Sequence, residues 1–599
     1  MNSTQRIYFN WYDHVFFAFM LLLSTAIGIY FSFTSRQNKN ITNEYFMGNK
    51  KMFVFPIAMS LVASHVSSVT LMSVPADVYQ FGAMYGLSII SIFFVCFATS
   101  YVYLPVFYGL QLNSTYEYLK LRFNASIRSY CSLLFIFNSI LYMSIVVYVP
   151  ALAYSQATGI SIYYVIPFIC AICTLYTTIG GIKAVVWTDT LQFIITAGAI
   201  AVVFILGLNK AGGIGNVLEV AKRGDRLSFD FDLDLTTRET VFAVLMHWFL
   251  TYIRLTATSP ECILKFLALP TLKKAQQSIF LFCFGIILIK LIVVLTGLIL
   301  FTIYYGCDPV KAGLVEKNDQ LVPFYVADMA AGIPGLTGLF ISGVFCTGLS
   351  TLSASLNALS ATVYQDFISK YYPELDKNGR TGFIIKFLVV AMGAVIAVLA
   401  LMVEHLGPIL PLAISVSSIT AGSFLGLFTL GMLCPRANSK GALWGIFSST
   451  LIVGWMFIGS QWYKAQGLLK SDPKYLSVDN CTLDISLTNI TTTMSIPQES
   501  NTIFYLYKIS HYYYSLIGTT VCIAVGLIVS YATKSKKEVR RELISPVVHY
   551  LFDNKKKMKN FVTSTLHKED GNYRSIYKAN QILEDNSVEM TEFRTKTIT

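Results

Sequence analysis

Charge is what this sequence has least of. Asp, Glu, Lys and Arg together make up 13% of the 599 residues, where a soluble globular chain carries about 25%. The missing charge is missing from long blocks, which excludes a soluble globular class and points to a polytopic membrane protein. Acidic residues are the scarcer sign, 33 against 45 basic ones, for a net charge of +12. The basic surplus lies in short loops and in the C-terminal segment. It therefore reads as membrane topology and excludes a nucleic-acid partner. Cysteine is sparse and scattered: the 11 thiols fall mostly in apolar blocks. No loop carries a metal-like CxxC pair, since Cys170 and Cys173 have that spacing inside a helix. There is also no phosphate-binding loop and no pair of loop carboxylates, so the chain is not read as an enzyme.

What is present is apolar length. Blocks of helix length run near 12–33, 53–76, 84–108, 128–154, 162–180, 188–208, 240–259, 277–305, 333–365, 381–402, 408–433, 441–462 and 508–533. Each has the ~20 residues or more that a ~30 Å hydrocarbon core requires, which predicts about thirteen spans. The first block has no basic segment before it and no small-residue cleavage site after it, and is expected to be a retained helix.

The loop charges orient the chain. Arg36, Lys39, Lys50 and Lys51 follow the first block; Lys120, Arg122 and Arg128 follow the third; Lys265, Lys273 and Lys274 follow the seventh. Later clusters at 370–380, 436–440 and 534–541 keep the same alternation. All share one side if the N-terminus is outside and the C-terminus inside. Asn480 and Asn489 then head N-x-T glycosylation triplets in an outside loop, 463–507. Only Cys307 and Cys481 fall in outside loops, and spacing does not decide whether they pair.

One block is apolar and yet rich in hydroxyls: residues 340–368, FISGVFCTGLSTLSASLNALSATVYQDFI. Thr347, Ser350 and Thr351 are spaced i, i+3 and i+4 and share a helix face. Lipid gives no reason to keep such a face. A hard cation does, because it takes several oxygens converging at roughly 2.3–2.6 Å. The competing reading is that each hydroxyl bonds the carbonyl one turn back.

Several ordered segments resemble the sodium/solute symporter family, and most closely its branch of iodide, multivitamin and monocarboxylate transporters. They are Glu44–Gly48 (EYFMG), Val74–Gly82 (VPADVYQFG), Gly180–Asp189 (GGIKAVVWTD), Cys307-Asp308-Pro309, the hydroxyl-rich block through Asp366, and Gly426-Leu427-Phe428 onward to Pro435, Asn438 and Gly441-Ala442. The likeness runs from about Glu44 to about Thr533. It implies an all-α, LeuT-like fold with a 5+5 inverted repeat and sodium-driven uptake by alternating access. The expected division is an outside N-terminus (1–11), a peripheral helix (12–33), two five-helix halves (53–208 and 240–433), two peripheral helices (441–533) and a cytoplasmic tail (534–599). The first span of each half is expected to break at mid-membrane, where Ser60–Ser73 and His247–Ser259 concentrate polar groups. The resemblance also implies a sodium site of the Ala63 and Val66 carbonyls, the Thr347 carbonyl and the Ser350 and Thr351 hydroxyls, with Asp189 nearby. Asp189 has a second reading, as the N-cap of the sixth span.

The solute is less legible. His65, Ser68, Tyr252, Lys290 and Ser417 are the candidate solute contacts. Lys290 lies mid-span, where an unpaired charge costs roughly 2.5–3.5 kcal/mol or more. It and Arg254 are expected to face a cavity, an anionic solute or an acid such as Asp189. The family's amide-rich signature after the seventh span is replaced here by Ser259-Pro260-Glu261-Cys262-Ile263-Leu264-Lys265-Phe266-Leu267. A position that helps bind sugar in the sugar-transporting branch is Ser417. The expectation is a sodium-coupled symporter of a small anionic solute, monocarboxylate or vitamin-like, in the plasma membrane. A sugar or polyol carrier and a non-transporting sodium leak or sensor are the alternatives.

Overall fold

The computed structural model describes residues 9–35, 50, 52–112, 114–330, 333–369, 372, 381–469, 473–479, 481, 503–533 and 539–549, and there is no strand among them. Among the described residues, ten helices are long and apolar enough to cross a membrane, and a bent helix pair makes an eleventh candidate. Two shorter apolar helices, Trp11–Leu23 and Ile162–Thr178, accompany them. Each of the thirteen apolar blocks read from the sequence falls on one of these segments. The motif at Glu44–Gly48 and the glycosylation acceptors Asn480 and Asn489 lie outside the described residues.

The principal helices are α1 (Trp11–Ser35), α2 (Val54–His65), α3 (Ser68–Phe81), α4 (Ala125–Thr158), α5 (Ile162–Lys210), α6 (Val241–Ile253), α7 (Pro260–Leu267), α8 (Leu272–Ile303), α9 (Leu336–Val363), α10 (Thr381–Ala400), α11 (Ile409–Leu433), α12 (Ser439–Ala465) and α13 (Tyr514–Ala532). α5 differs from expectation. It joins the fifth and sixth blocks in one helix of 49 residues, because the segment between them holds no proline and no capping residue before Thr188. Asp189 therefore lies inside a helix and caps nothing.

α9 is the hub, with 94% of its apolar window buried against α1, α2, α3, α4, α5 and α10. Helices in lipid associate through close packing and hydrogen bonding, which small side chains permit. At Gly338 an added Cβ would stand 2.4 Å from the Asp13 Cα, so only glycine lets α1 approach. Asp13 Oδ1 accepts the Gly338 N–H at 2.8 Å in return. The hydroxyls of α9 mostly bond backward: Ser342 to the Gly338 carbonyl at 2.6 Å, Thr347 to Val344 at 2.7 Å, Thr351 to Thr347 at 2.9 Å. Ser350 and Ser355 are departures, described below.

Cys307 and Cys481 form a disulfide with a Cα–Cα distance of 5.0 Å. The loop around Cys481 straps over the end of α3: the Asp308 N–H donates to Ser477 O at 2.9 Å, and Tyr79 donates to Asp308 at 2.8 Å. Several basic residues read as topology signals also hold the fold. Arg122 Nε donates to Gly431 O at 2.9 Å, and Arg128 pairs with Asp366. The expected tail begins with packed structure, since Leu543 and Ile544 are buried and Ser545 N–H donates to Met432 O at 3.0 Å.

Candidate functional site

The chain breaks between α2 and α3 with a bend of 53°. Val66 leaves helical geometry (φ −83°, ψ 88°), and Ser67 starts α3 by accepting the Thr70 N–H at 3.4 Å. Polar Ser64-His65 and Ser67-Ser68 flank this break. Among the described residues, no backbone N–H is donated to the carbonyls of Ala63 or Val66. A buried carbonyl without a donor is costly in a membrane unless something else takes its lone pairs. The second expected break also occurs: α6 runs into a π-turn at Arg254–Thr258, Ser259 is extended, and α7 begins at Pro260.

α9 packs against both α2 and α3 at the first break. Ser350 Oγ donates to Asp189 Oδ1 at 2.7 Å, and Thr351 Oγ1 donates to the Thr347 carbonyl. Both hydrogens are thereby directed away, and the oxygen lone pairs remain for a cation. Asp189 is fully buried and also accepts from Ser60 Oγ at 2.7 Å. Its counter-ion is Lys265, whose Nζ stands 3.3 Å from Oδ2, 2.7 Å from Ser64 Oγ and 3.1 Å from the Ser60 carbonyl. Neither Arg254 nor Lys290 pairs with Asp189. Expected from its place after the seventh block to be a loop charge, Lys265 is buried; the signal for that is a lysine inside the otherwise apolar run CILKFL. The pair leaves the oxygen set around Ser350 without net charge.

Beside this set lies a cavity with about 110 Å³ of room for water-sized molecules. His65, Tyr252, Arg254, Glu261, Thr351 and Ser417 are on its wall. His65 is already satisfied: Nδ1 donates to the Leu61 carbonyl at 2.9 Å, and Nε2 faces the Cys262 thiol at 3.6 Å. Ser417 Oγ donates to Ile414 O at 2.9 Å. Two expected contacts lie off the wall. Ser68 is buried and donates to the Val146 carbonyl at 2.7 Å. Lys290 is buried behind the wall, donating to Tyr85 OH at 2.8 Å and Ser88 Oγ at 3.0 Å. Its ammonium sits 4.2 Å from the ring centres of both Tyr85 and Trp248, so aromatic faces replace the anion its depth demands. Arg254 is the cation that does reach the cavity. Its guanidinium has no hydrogen-bond or ion-pair partner among the described residues and lies 5.6 Å over the Phe424 ring.

The family model for sodium:solute symporters matches residues 45–448. A sodium-coupled monocarboxylate transporter 2 of Mus musculus is 37% identical over 92% of this chain and 88% of its own length. A sodium-coupled monocarboxylate transporter 1 of Homo sapiens is 35% identical over 88% of each chain. In three dimensions the chain resembles a substrate-bound, outward-open Na+-coupled sialic acid symporter, with a TM-score of 0.70 at 21% identity over 88% of this chain and 99% of that one. That likeness shows the LeuT-like fold. With a broken helix, a hydroxylated hub and a cavity between them, the chain belongs to the sodium:solute symporter family, as a multi-pass membrane protein that couples solute import to sodium.

Proposed function

We propose that this symporter imports a small organic carboxylate across the plasma membrane, with its N-terminus outside and its C-terminus inside. The observation that carries the solute class is Arg254, a cation on the cavity wall that forms no ion pair among the described residues. A guanidinium offers a planar fork that matches a carboxylate. The two relatives above are monocarboxylate transporters by name, in keeping with that chemistry. Sodium is held by the carbonyls of Ala63, Val66 and Thr347 and the hydroxyls of Ser350 and Thr351. Asp189 and Lys265 fix Ser350 in place. His65, Tyr252 and Ser417 shape the solute cavity, and Lys290 and Ser68 support its wall from behind. The segments 53–208 and 240–433 act as the two inverted halves, and Asn480 and Asn489 carry glycans on the outside. Ion and solute drive the cycle only through their different affinities for the outward and inward states.

Solute-dependent current in oocytes expressing the full chain tests this reading. Inward current that requires both sodium and a carboxylate is the expected result. Current with sugars and not with carboxylates overturns the solute class, and sodium current independent of any solute overturns symport.

A further inference from the structure

The cavity wall carries a second charged group that an anionic solute does not explain. Glu261 stands at the start of α7, across the Ser259 break from Arg254. Ser355 Oγ on the hub helix donates to its Oε1 at 2.7 Å. Its other oxygen has no donor among the described residues, although the side chain lines the cavity. Arg254 and Glu261 share that wall without forming an ion pair with each other, and Lys265, the other cation near Glu261 among the described residues, pairs with Asp189. The wall therefore offers free donors at one place and a free acceptor at another, with no net charge between them.

A simple carboxylate with an apolar tail satisfies only half of this. Its head occupies Arg254, and its tail displaces water from Glu261 and leaves an oxygen bare. Leaving a buried acceptor unpaired is the means by which a site rejects an analogue that lacks the matching donor. Taking the solute to be a carboxylate held at Arg254, as proposed above, we infer that it also carries an N–H or O–H donor remote from the carboxylate, and that Glu261 is the residue that reads it.

The test compares propionate, butyrate and valerate with their ω-hydroxy and ω-amino analogues, as sodium-dependent currents in oocytes expressing the full chain. At one chain length, a donor-bearing analogue should have an apparent affinity at least roughly tenfold higher than its plain partner. Glu261→Gln should bring that ratio to within about twofold while the plain acid keeps its sodium dependence. Arg254→Gln should weaken both members of a pair alike and preserve the ratio. If Glu261→Gln does not reach the membrane, Glu261→Asp, which keeps the charge and shortens the reach, should lower the ratio by about threefold or more. Equal affinities throughout the wild-type series, or a ratio unchanged in both Glu261 variants, overturn the inference and leave the carboxylate reading standing. Transport of a neutral solute and of no carboxylate overturns both.

Discussion

Lys265 and Asp189 form a buried ion pair between α7 and α5, with Nζ 3.3 Å from Oδ2 and side chains 4% and 0% exposed. The same carboxylate accepts from Ser60 on α2 and Ser350 on α9. One acid thus ties together both walls of the first helix break and the segment after the second.

Removing one partner of such a pair strands the other. Lys265→Met should destabilise the fold by about 3–5 kcal/mol. Lys265→Met combined with Asp189→Asn should recover most of that loss, because no charge is then left buried. Thermal melting of the detergent-solubilised protein measures both; a double variant no more stable than the single one sinks the pairing argument.

Thr351→Ala and Ser350→Ala each remove one proposed sodium ligand. Each should raise the sodium concentration for half-maximal current roughly tenfold, equivalent to about 1.4 kcal/mol. Ser350→Ala also takes a donor from Asp189 and should melt earlier than Thr351→Ala. Sodium activation curves unchanged in both variants would remove these hydroxyls from the site.

The Cys307–Cys481 disulfide closes a sequence separation of 174 residues. Cys307→Ser should cost about 2–5 kcal/mol, by freeing the strap over α3. A reductant should lower the melting temperature of the wild type and leave the Cys307→Ser variant unmoved.

Glu239, in the loop before α6, has its carboxyl pushed up from 4.5 to about 7. Burial is the main cause; nearby Arg238 and Lys474 oppose it and Asp77 reinforces it. A carboxyl with a higher value folded than unfolded takes up a proton on folding between the two. Its contribution is therefore full below about 4.5 and is lost as pH rises through about 7. Melting temperature should fall over that window, and Glu239→Gln should flatten the fall. Equal slopes in the two proteins would assign the pH dependence to other groups.

The sequence by itself determined the class, the spans and the hydroxyl-rich block. Apolar length and missing charge are one-dimensional properties, and a membrane makes each long apolar run a helix because no other backbone state satisfies its own polar groups there. The hydroxyl triplet on α9 and the polar breaks were legible for the same reason, since face and period follow from local geometry. Tertiary structure alone decided which charges meet. Lys290 and Lys265 look alike in the chain, each a lysine in an apolar run. Packing put one in an aromatic cage behind the wall and the other against Asp189. It also left Arg254 and Glu261, which no spacing distinguishes, as the charges that face the cavity. A charge's role depends on partners far away in sequence, and in a low-dielectric interior the presence or absence of one such partner outweighs anything the local sequence contributes.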